Sequence, residues 1–444
     1  MSDCISAVAT AAGTGGVAIV RISGKNSLLI AEKMFKPLSL VKVCEFEPYR
    51  MYVGEIQGEG FTDHGMCVYF KAPKSFTGED VVEFHCHGGI AITRGILNKT
   101  FELGARLATN GEFTKRAFLN GKLSLSSCEG LIDMINSESV TQIKSGFYLF
   151  KEHLKNKIYN IQQQLTIILA QIDANIDYPE EGLIEDSGEE IKEKLLAIVP
   201  ELQNMLSSYS TGKIIADGVK VALVGKTNTG KSSLLNALCG QERAIVTDIA
   251  GTTRDVVEAT MLINGIKFTL FDTAGIRETN DLVEKIGIER SNLLIDSADI
   301  VMFVTDGEAI ESDEMLFLDK LEGKRLIKVI NKSDLNGLQI DSEGALSVSC
   351  KDNINIDLLK NRLFDLALKN ANTDGEFITQ KRHYYALEDA FNALQAAINA
   401  ISILPLDLVS ADIKECWDKL GEITGTTASE DIINEIFSRF CVGK

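Results

Sequence analysis

Positive charge is what this chain is short of. Lys and Arg number 45 against 63 Asp and Glu, a formal net charge of −18 over 444 residues. Binding nucleic acid by broad phosphate neutralisation needs clustered Lys and Arg, so any RNA contact must be local or borrowed from a partner. No run of about 18 apolar residues exists to span a membrane. The start, Met1-Ser-Asp-Cys-Ile-Ser6, lacks the basic stretch and apolar core of a signal peptide. The expectation is a cytoplasmic protein with no membrane association. Nine cysteines (Cys4, Cys44, Cys67, Cys86, Cys128, Cys239, Cys350, Cys416, Cys441) are scattered, odd in number and without a C-x-x-C pair. They read as reduced thiols. Flavin and nicotinamide fingerprints are also missing, so redox chemistry would have to come from elsewhere.

What is present is enough chain for about three domains at roughly 150 residues each. A hydrophobic content of 45% with 24% charged residues fits a soluble globular protein. The organising stretch is Gly225-Lys-Thr-Asn228-Thr229-Gly230-Lys231-Ser232, between the apolar run Val219–Val224 and a helix-like run from Ser233 to Leu238. A strand feeding a glycine-rich turn that opens a helix is the context of a phosphate-binding loop. Its backbone N–H groups curl around phosphate oxygens, Lys231 supplies a point charge and the Ser232 hydroxyl a magnesium ligand.

Up to about residue 120 the pattern is mixed. Short strands are expected at Ser6–Ala11, Gly16–Gly24, His64–Phe70 and Asp80–His87, with helical spacing at Ser27–Met34 and Ala91–Leu103. This is a small α+β domain. In His85-Cys86-His87, strand alternation sends both histidines to one face and Cys86 to the other, which favours structural or ligand-contacting histidines over a metal site. From Val140 to Ile176 apolar residues at intervals of three and four predict one long helix, followed by a second from about Glu189 to Leu206 kinked at Pro200. Further helices are expected at Gln380–Ile403, Leu406–Leu420 and Ser429–Phe440. These C-terminal helices make a weak core alone, so the two helical parts should form one discontinuous domain around an insert.

Within the insert, Asn264-Gly265 between Val257–Ile263 and Ile266–Phe271 is a type I′ hairpin signal, and strands follow at Ile300–Thr305, Leu326–Ile330 and Ala345–Ser349. The expected sheet is mostly parallel with one antiparallel pair. Its loops carry a guanine-nucleotide set. A threonine of Thr252-Thr253-Arg254 can reach Mg²⁺, and Asp272-Thr273-Ala274-Gly275 offers a carboxylate and a glycine N–H near the γ-phosphate. In Asn331-Lys332-Ser333-Asp334 the Asp carboxylate can accept both N1–H and N2–H of guanine. Ser349-Cys350-Lys351 supplies the last base-side loop.

These motifs, with Gly251-Thr-Thr-Arg-Asp255 and Val283-Glu284-Lys-Ile-Gly-Ile-Glu-Arg290, resemble the G domain of the MnmE (TrmE) tRNA-modification GTPases. The resemblance extends to Gly15–Gly24, Ser75-Phe-Thr-Gly-Glu-Asp80, Gly111–Lys122 and the terminal Phe440-Cys441-Val442-Gly443-Lys444, and so spans the chain. It implies a multidomain α/β and α fold: an N-terminal α+β domain (1–120) that binds tetrahydrofolate and dimerises, a discontinuous helical domain (121–215 and 373–444), and an inserted P-loop GTPase domain with a Ras-like mixed sheet (216–372). It implies a K⁺-activated GTPase that works in a heterotetramer with an MnmG-like flavoprotein, with tRNA held mainly by that partner. Together they would build a carboxymethylaminomethyl or aminomethyl group at C5 of the wobble uridine, U34.

Carried over by position, folate, as a 5-formyl or 5,10-methylene derivative, would contact Arg21, Glu83, Lys122 and Lys444. GTP would contact Asn228, Thr229, Gly230, Lys231, Ser232, Ser233, then Thr247, Asp248, Ile249, Ala250, Gly251, Thr252, Thr253, then Asp272, Thr273, Ala274, Gly275, and Asn331, Lys332, Ser333, Asp334. Mg²⁺ would sit on Ser232 and Thr253, and K⁺ on Asn228, Thr247, Ile249 and Thr252. Thr227 stands where the family usually has proline, and Ala11-Ala12-Gly13-Thr14 replaces a Pro-Pro-Gly-Arg stretch. Ile276 follows Gly275 where Ras-like proteins carry a water-orienting glutamine, and the resemblance gives that task to Glu284. Cys441, near the terminal carboxylate, reads as an exposed reactive thiol, with a buried hydrophobe as the other reading. Arg21 and Glu83 read without the family equally as a strand-end ion pair. Two other functions compete: a ribosome-assembly GTPase, which should carry a basic RNA-binding module, and a folate one-carbon transferase regulated by GTP.

Overall fold

The computed structural model describes residues 3–177, 187–240, 257–272, 293–306, 324–336, 345–368 and 375–444. The chain forms two compact units, one of 1–132, 146–199 and 389–444 and the other of 133–145 and 200–388.

The first unit holds a seven-stranded sheet built from β1 (Ile5–Val8), β2 (Gly15–Ser23), β3 (Phe35–Pro37), β4 (Met51–Gln57), β5 (Thr62–Phe70), β6 (Val81–Gly88) and β7 (Arg106–Leu107). Their order is β3-β4-β5-β6-β2-β1-β7, antiparallel throughout except for β1 beside β7. Alternation sorts the side chains. Val20, Ile22, Cys67, Tyr69, Val82, Phe84 and Cys86 face one way and bury against Ile30, Met34 and Ile96 of the helices Ser27–Met34 and Ile90–Glu102. Each such side chain contributes about 1.5–3 kcal/mol on leaving water. The other face carries Arg21 opposite Glu83, and Ile19 opposite His85.

The first unit also contains helices from 146–199 and from 389–444. In the helix His153–Asp177, Leu154, Ile158, Ile161, Leu165, Ile168 and Ile172 are buried, which is the predicted stripe. The helix Leu406–Thr424 packs on it, with Gln162 Nε2 donating to the Trp417 carbonyl (2.9 Å) and Trp417 Nε1 to Thr166 Oγ1 (3.1 Å). The single helix expected from Val140 is two. Val140–Phe150 ends, and the chain passes Glu152 at φ 63 before the next helix starts at His153. Val140, Ile143 and Phe147 accordingly fall off the buried stripe and are exposed. The second helix runs Ser187–Asp217, longer than expected, with Pro200 inside it. The last helix, Glu430–Ser438, is capped by Ser429, whose side chain accepts from the Ile432 N–H. Phe437 and Phe440 bury against Leu125 and Cys128.

The second unit holds a six-stranded sheet of β8 (Val219–Val224), β9 (Val257–Ile263), β10 (Ile266–Asp272), β11 (Ile300–Thr305), β12 (Arg325–Ile330) and β13 (Leu346–Ser347). The order is β13-β12-β11-β8-β10-β9, parallel except for the hairpin β9–β10. At the hairpin tip Asn264 and Gly265 both have positive φ, 49° and 80°, as a type I′ turn requires. Central strands are apolar on both faces: Val221, Ala222, Leu223, Val301, Met302 and Val304 are fully buried. The helices Lys231–Cys239 and Ile356–Leu368 close one face through Leu234, Leu238, Leu359 and Leu363. β8 lies between β11 and β10, so the loop after it opens at the carboxyl edge of the sheet, where ligands of α/β folds bind.

Among the described residues no helix is long and apolar enough to cross a membrane.

Candidate functional site

The loop leaving β8 is shaped by close approaches. A Cβ on Gly225 would lie 2.1 Å from the Val304 carbonyl oxygen, and one on Gly230 2.3 Å from Asn331 Nδ2; both residues have positive φ. Asn228 also sits at φ 66, a turn conformation that asparagine tolerates. Gly230 caps the helix Lys231–Cys239 in a left-handed conformation. The Lys231 ammonium folds back over the loop and donates to the carbonyls of Gly225 (2.6 Å) and Lys226. Burial pulls its pKa down and the Asp272 carboxylate pulls it up, with burial the stronger. A cation held on the carbonyl oxygens of a glycine-rich turn at the start of a helix suits the phosphates of a nucleotide.

Next to it, Ser232 Oγ donates to Asp272 Oδ2 at 2.7 Å, and Asp272 is 1% exposed. A hydroxyl and a buried carboxylate paired beside a phosphate loop fit a magnesium ion, with Ser232 as direct ligand and Asp272 behind it.

At the edge of β12, Asn331 bridges the base side and the phosphate side. Its N–H donates to the Thr305 carbonyl (2.7 Å), Nδ2 to the Thr229 carbonyl (3.0 Å), and Oδ1 accepts from Cys350 Sγ (3.1 Å). Asp334 Oδ1 accepts from Ser349 Oγ at 2.8 Å. Lys332, at φ 61, pairs with Asp306 at 3.0 Å. Gly230, Ser233, Asn236, Asn331, Asp334 and Cys350 line a cavity of about 610 Å³. The oriented carboxylate of Asp334 can take the N1–H and N2–H edge of guanine, while adenine presents neither donor pair.

A second constellation lies on the other face of the first sheet, where Phe113 packs on Ile5 and Ala7. Arg21 Nε donates to Glu83 Oε1 at 2.6 Å, and the guanidinium lies 5.7 Å from the Phe76 ring centre and 5.6 Å from that of Phe113. Burial raises the Glu83 carboxyl, and the neighbouring His85 and Arg21 outweigh it and hold it below the ordinary carboxylate range. His85 Nε2 is buried and faces Glu83 Oε2 at 3.5 Å, with no hydrogen-bond partner of ordinary geometry among the described residues. Lys122 lies beside the loop that carries Phe76, its Cγ 3.4 Å from where a Cβ on Gly78 would be. The tail arrives at the same sheet. Val442 bridges to Asn110, and a Cβ on Gly443 (φ +98) would lie 2.2 Å from the Val8 carbonyl oxygen, one residue from Ala7, the partner of Arg21. Cys441 is an exposed free thiol, and Lys444 N–H donates to its carbonyl. A carboxylate, an unsatisfied imidazole and a ring-stacked guanidinium fit a planar, hydrogen-bonding heterocycle such as a pterin. Cys86 is in the core and His87 is exposed, donor or acceptor to Asp63 at 2.6 Å, so the His-Cys-His run splits between faces as its alternation predicts.

Residues 125–441 match the family described as MnmE helical domain, and residues 4–122 match that described as GTP-binding protein TrmE N-terminus. The chain belongs to the MnmE family. It is 40% identical over 461 residues to the tRNA modification GTPase MnmE of Desulforamulus reducens, covering 100% of both chains. Against the tRNA modification GTPase MnmE of Clostridioides difficile it is 38% identical over 457 residues, again 100% of both. Against that of Acetivibrio thermocellus the identity is 40% over 457 residues, covering 100% of this chain and 99% of the relative. The MnmE architecture follows: an N-terminal α+β domain, helical segments on either side of a phosphate-loop domain, and two mixed sheets.

Of the residues assigned from MnmE, Asn228, Thr229, Gly230, Lys231, Ser232, Ser233, Asp272, Asn331, Lys332, Ser333 and Asp334 fall in one unit, and Arg21, Glu83, Lys122 and Lys444 fall in the other, where Arg21 pairs with Glu83. Thr247, Asp248, Ile249, Ala250, Gly251, Thr252, Thr253, Thr273, Ala274, Gly275 and Glu284 lie outside the described residues. Phe76 and Phe113 beneath Arg21, and the pairings of Ser349 with Asp334 and Cys350 with Asn331, have no local signal in the sequence.

Proposed function

We propose that this protein is a K⁺-activated GTPase that, with a flavoprotein partner, installs a carboxymethylaminomethyl or aminomethyl group at C5 of the wobble uridine, U34, of tRNA. The observation that carries the reading is Asn331. It ties a guanine-reading carboxylate loop to a phosphate loop, in a chain whose full length aligns with tRNA modification GTPases.

The residues divide the work. Asp334, held by Ser349, selects guanine; Lys231 leaves its carbonyl perch to meet the β,γ-phosphates; Ser232 and Asp272 hold the magnesium side. Magnesium when bound neutralises charge developing on the phosphates. Asn228, Thr247, Ile249 and Thr252 would hold K⁺, which would supply further positive charge where other GTPases use an arginine, and Glu284 would orient the attacking water. Arg21, Glu83, Lys122 and Lys444 would hold a reduced folate, which would supply the one-carbon unit, with Cys441 as the candidate catalytic thiol. We assign residues 1–120 to folate binding and dimerisation, 121–215 and 373–444 to the helical domain, and 216–372 to the GTPase. The one nucleotide fingerprint in the chain serves GTP, so the redox step falls to the flavoprotein, and tRNA is held mainly by that partner in a heterotetramer in the cytoplasm.

The test is mass spectrometry of tRNA nucleosides after deletion of the gene. The modified wobble uridine should vanish and return with the wild-type chain but not with Lys231→Ala. An unchanged nucleoside profile would refute the reading and favour a ribosome-assembly GTPase or a GTP-regulated one-carbon transferase.

A further inference from the structure

Asn331 is 3% exposed and satisfied at both ends of its amide, Nδ2 on the Thr229 carbonyl and Oδ1 on the Cys350 thiol. An amide has two orientations related by a flip. Flipped, Asn331 would set its oxygen against the Thr229 carbonyl, a mismatch in a buried place, and would exchange the S–H donor bond from Cys350 for the sulfur's weaker acceptor role toward the NH₂. The backbone carbonyl of Thr229 is common to any residue there, so the side chain at 350 is what supplies the second half of the lock. Gly230 is in direct contact with Asn331 Nδ2, so whatever fixes this amide also fixes the base loop to the phosphate loop. Burial keeps the thiol protonated, pushing its pKa up to about 11 against the lowering effect of Asn331.

We propose that Cys350 is a positioning residue for nucleotide retention: its S–H fixes the Asn331 amide in the one orientation that links the guanine loop to the phosphate loop. The proposal rests on the guanine-nucleotide reading of this cavity. A neutral hydrogen bond of this kind corresponds to a factor of about 3 to 10 in a rate or equilibrium.

The test is release of fluorescent mant-GDP from the full-length chain by stopped flow. Cys350→Ala should speed release about 3- to 10-fold, and Cys350→Ser, which keeps a donor, should return the rate to near wild type. In an Asn331→Ala background Cys350→Ala should have no further effect, which a purely structural role would not produce. Release from Cys350→Ala at the wild-type rate, equal acceleration in Ala and Ser variants, or multiplying effects in the double variant would each overturn the proposal. Should Asn331→Ala hold no nucleotide, the Ala and Ser variants decide. Failure of the wild type itself to bind mant-GDP overturns the guanine reading and the proposal with it.

Discussion

Ser232 Oγ and Asp272 Oδ2 are 2.7 Å apart, the first on the opening turn of the helix after the phosphate loop and the second at the end of β10. Two elements 40 residues apart in sequence are thus joined at the point where the terminal phosphate is handled. Removing the carboxylate leaves the hydroxyl unaligned and the metal without its second layer of negative charge. Asp272→Ala should lower GTP turnover by on the order of 100-fold or more and weaken the magnesium dependence of nucleotide binding. Turnover and magnesium titration of the purified variant check this; a variant with wild-type magnesium dependence would show the pair to be structural only.

Base selection should be reversible at Asp334. Its carboxylate accepts from two guanine N–H groups, whereas an amide matches the C2 carbonyl of xanthine. Asp334→Asn should lose at least about 100-fold in affinity for GDP and gain for XDP, since an unpaired buried polar edge is rejected strongly. Competition of the two diphosphates against mant-nucleotides measures the switch. Unaltered preference for GDP would remove Asp334 from the base site.

On the Arg21 face of the first sheet, Glu83 is held ionised beside Arg21 and His85. Glu83→Ala should abolish binding of a reduced folate in a calorimetric titration, with mant-GDP binding in the other unit as control for folding. Folate heat equal to that of the wild type would leave Arg21 and Glu83 as an ordinary strand-end ion pair.

The phosphate loop and the Asn331-to-Asp334 loop were legible because each lies where an apolar strand gives way to residues of narrow chemical purpose. The aliphatic stripe from Leu154 to Ile172 was legible for a different reason, since period alone fixes the buried face. Pairings across the fold were not. Cys350 with Asn331 and Ser349 with Asp334 depend on β13 lying beside β12, which no local pattern announces. The break at Glu152 left no trace either, because a glutamate in the left-handed region carries none of the glycine or proline signal that marks a helix end. β4 escaped through Gly54, which reads as a breaker but is demanded by packing: a Cβ there would lie 2.4 Å from the Lys36 carbonyl oxygen on β3.

Acid should act on the first unit through Glu112. Its carboxylate takes hydrogen bonds from Arg106, the Thr109 N–H and Arg116. Burial raises the carboxyl, and those donors, Arg106 foremost, overcome it and bring it down to about 2 from an ordinary 4.5. Because the folded value is depressed, the stabilisation is complete above about 4.5 and is lost as pH falls from there toward 2. With Arg106 half exposed, screening leaves on the order of 1–2 kcal/mol. Glu112→Gln should be less stable near neutrality and should flatten this part of the pH dependence in urea melts. Parallel curves for variant and wild type would exclude the network as the acid-sensitive element.

The most direct measurement is GTP turnover by the purified full-length chain in KCl and in NaCl at equal ionic strength, with Lys231→Ala as the blank. Positive charge supplied beside the β,γ-bridge is worth on the order of 10³ to 10⁵ in rate when an arginine provides it. Turnover should be fast in KCl and far slower in NaCl. Loss of that preference is expected in Asn228→Ala, and slow turnover with normal GTP binding in Glu284→Ala. Turnover no higher than the Lys231→Ala blank in both salts would contradict the GTPase assignment, and equal wild-type rates in the two salts would contradict its activation by K⁺.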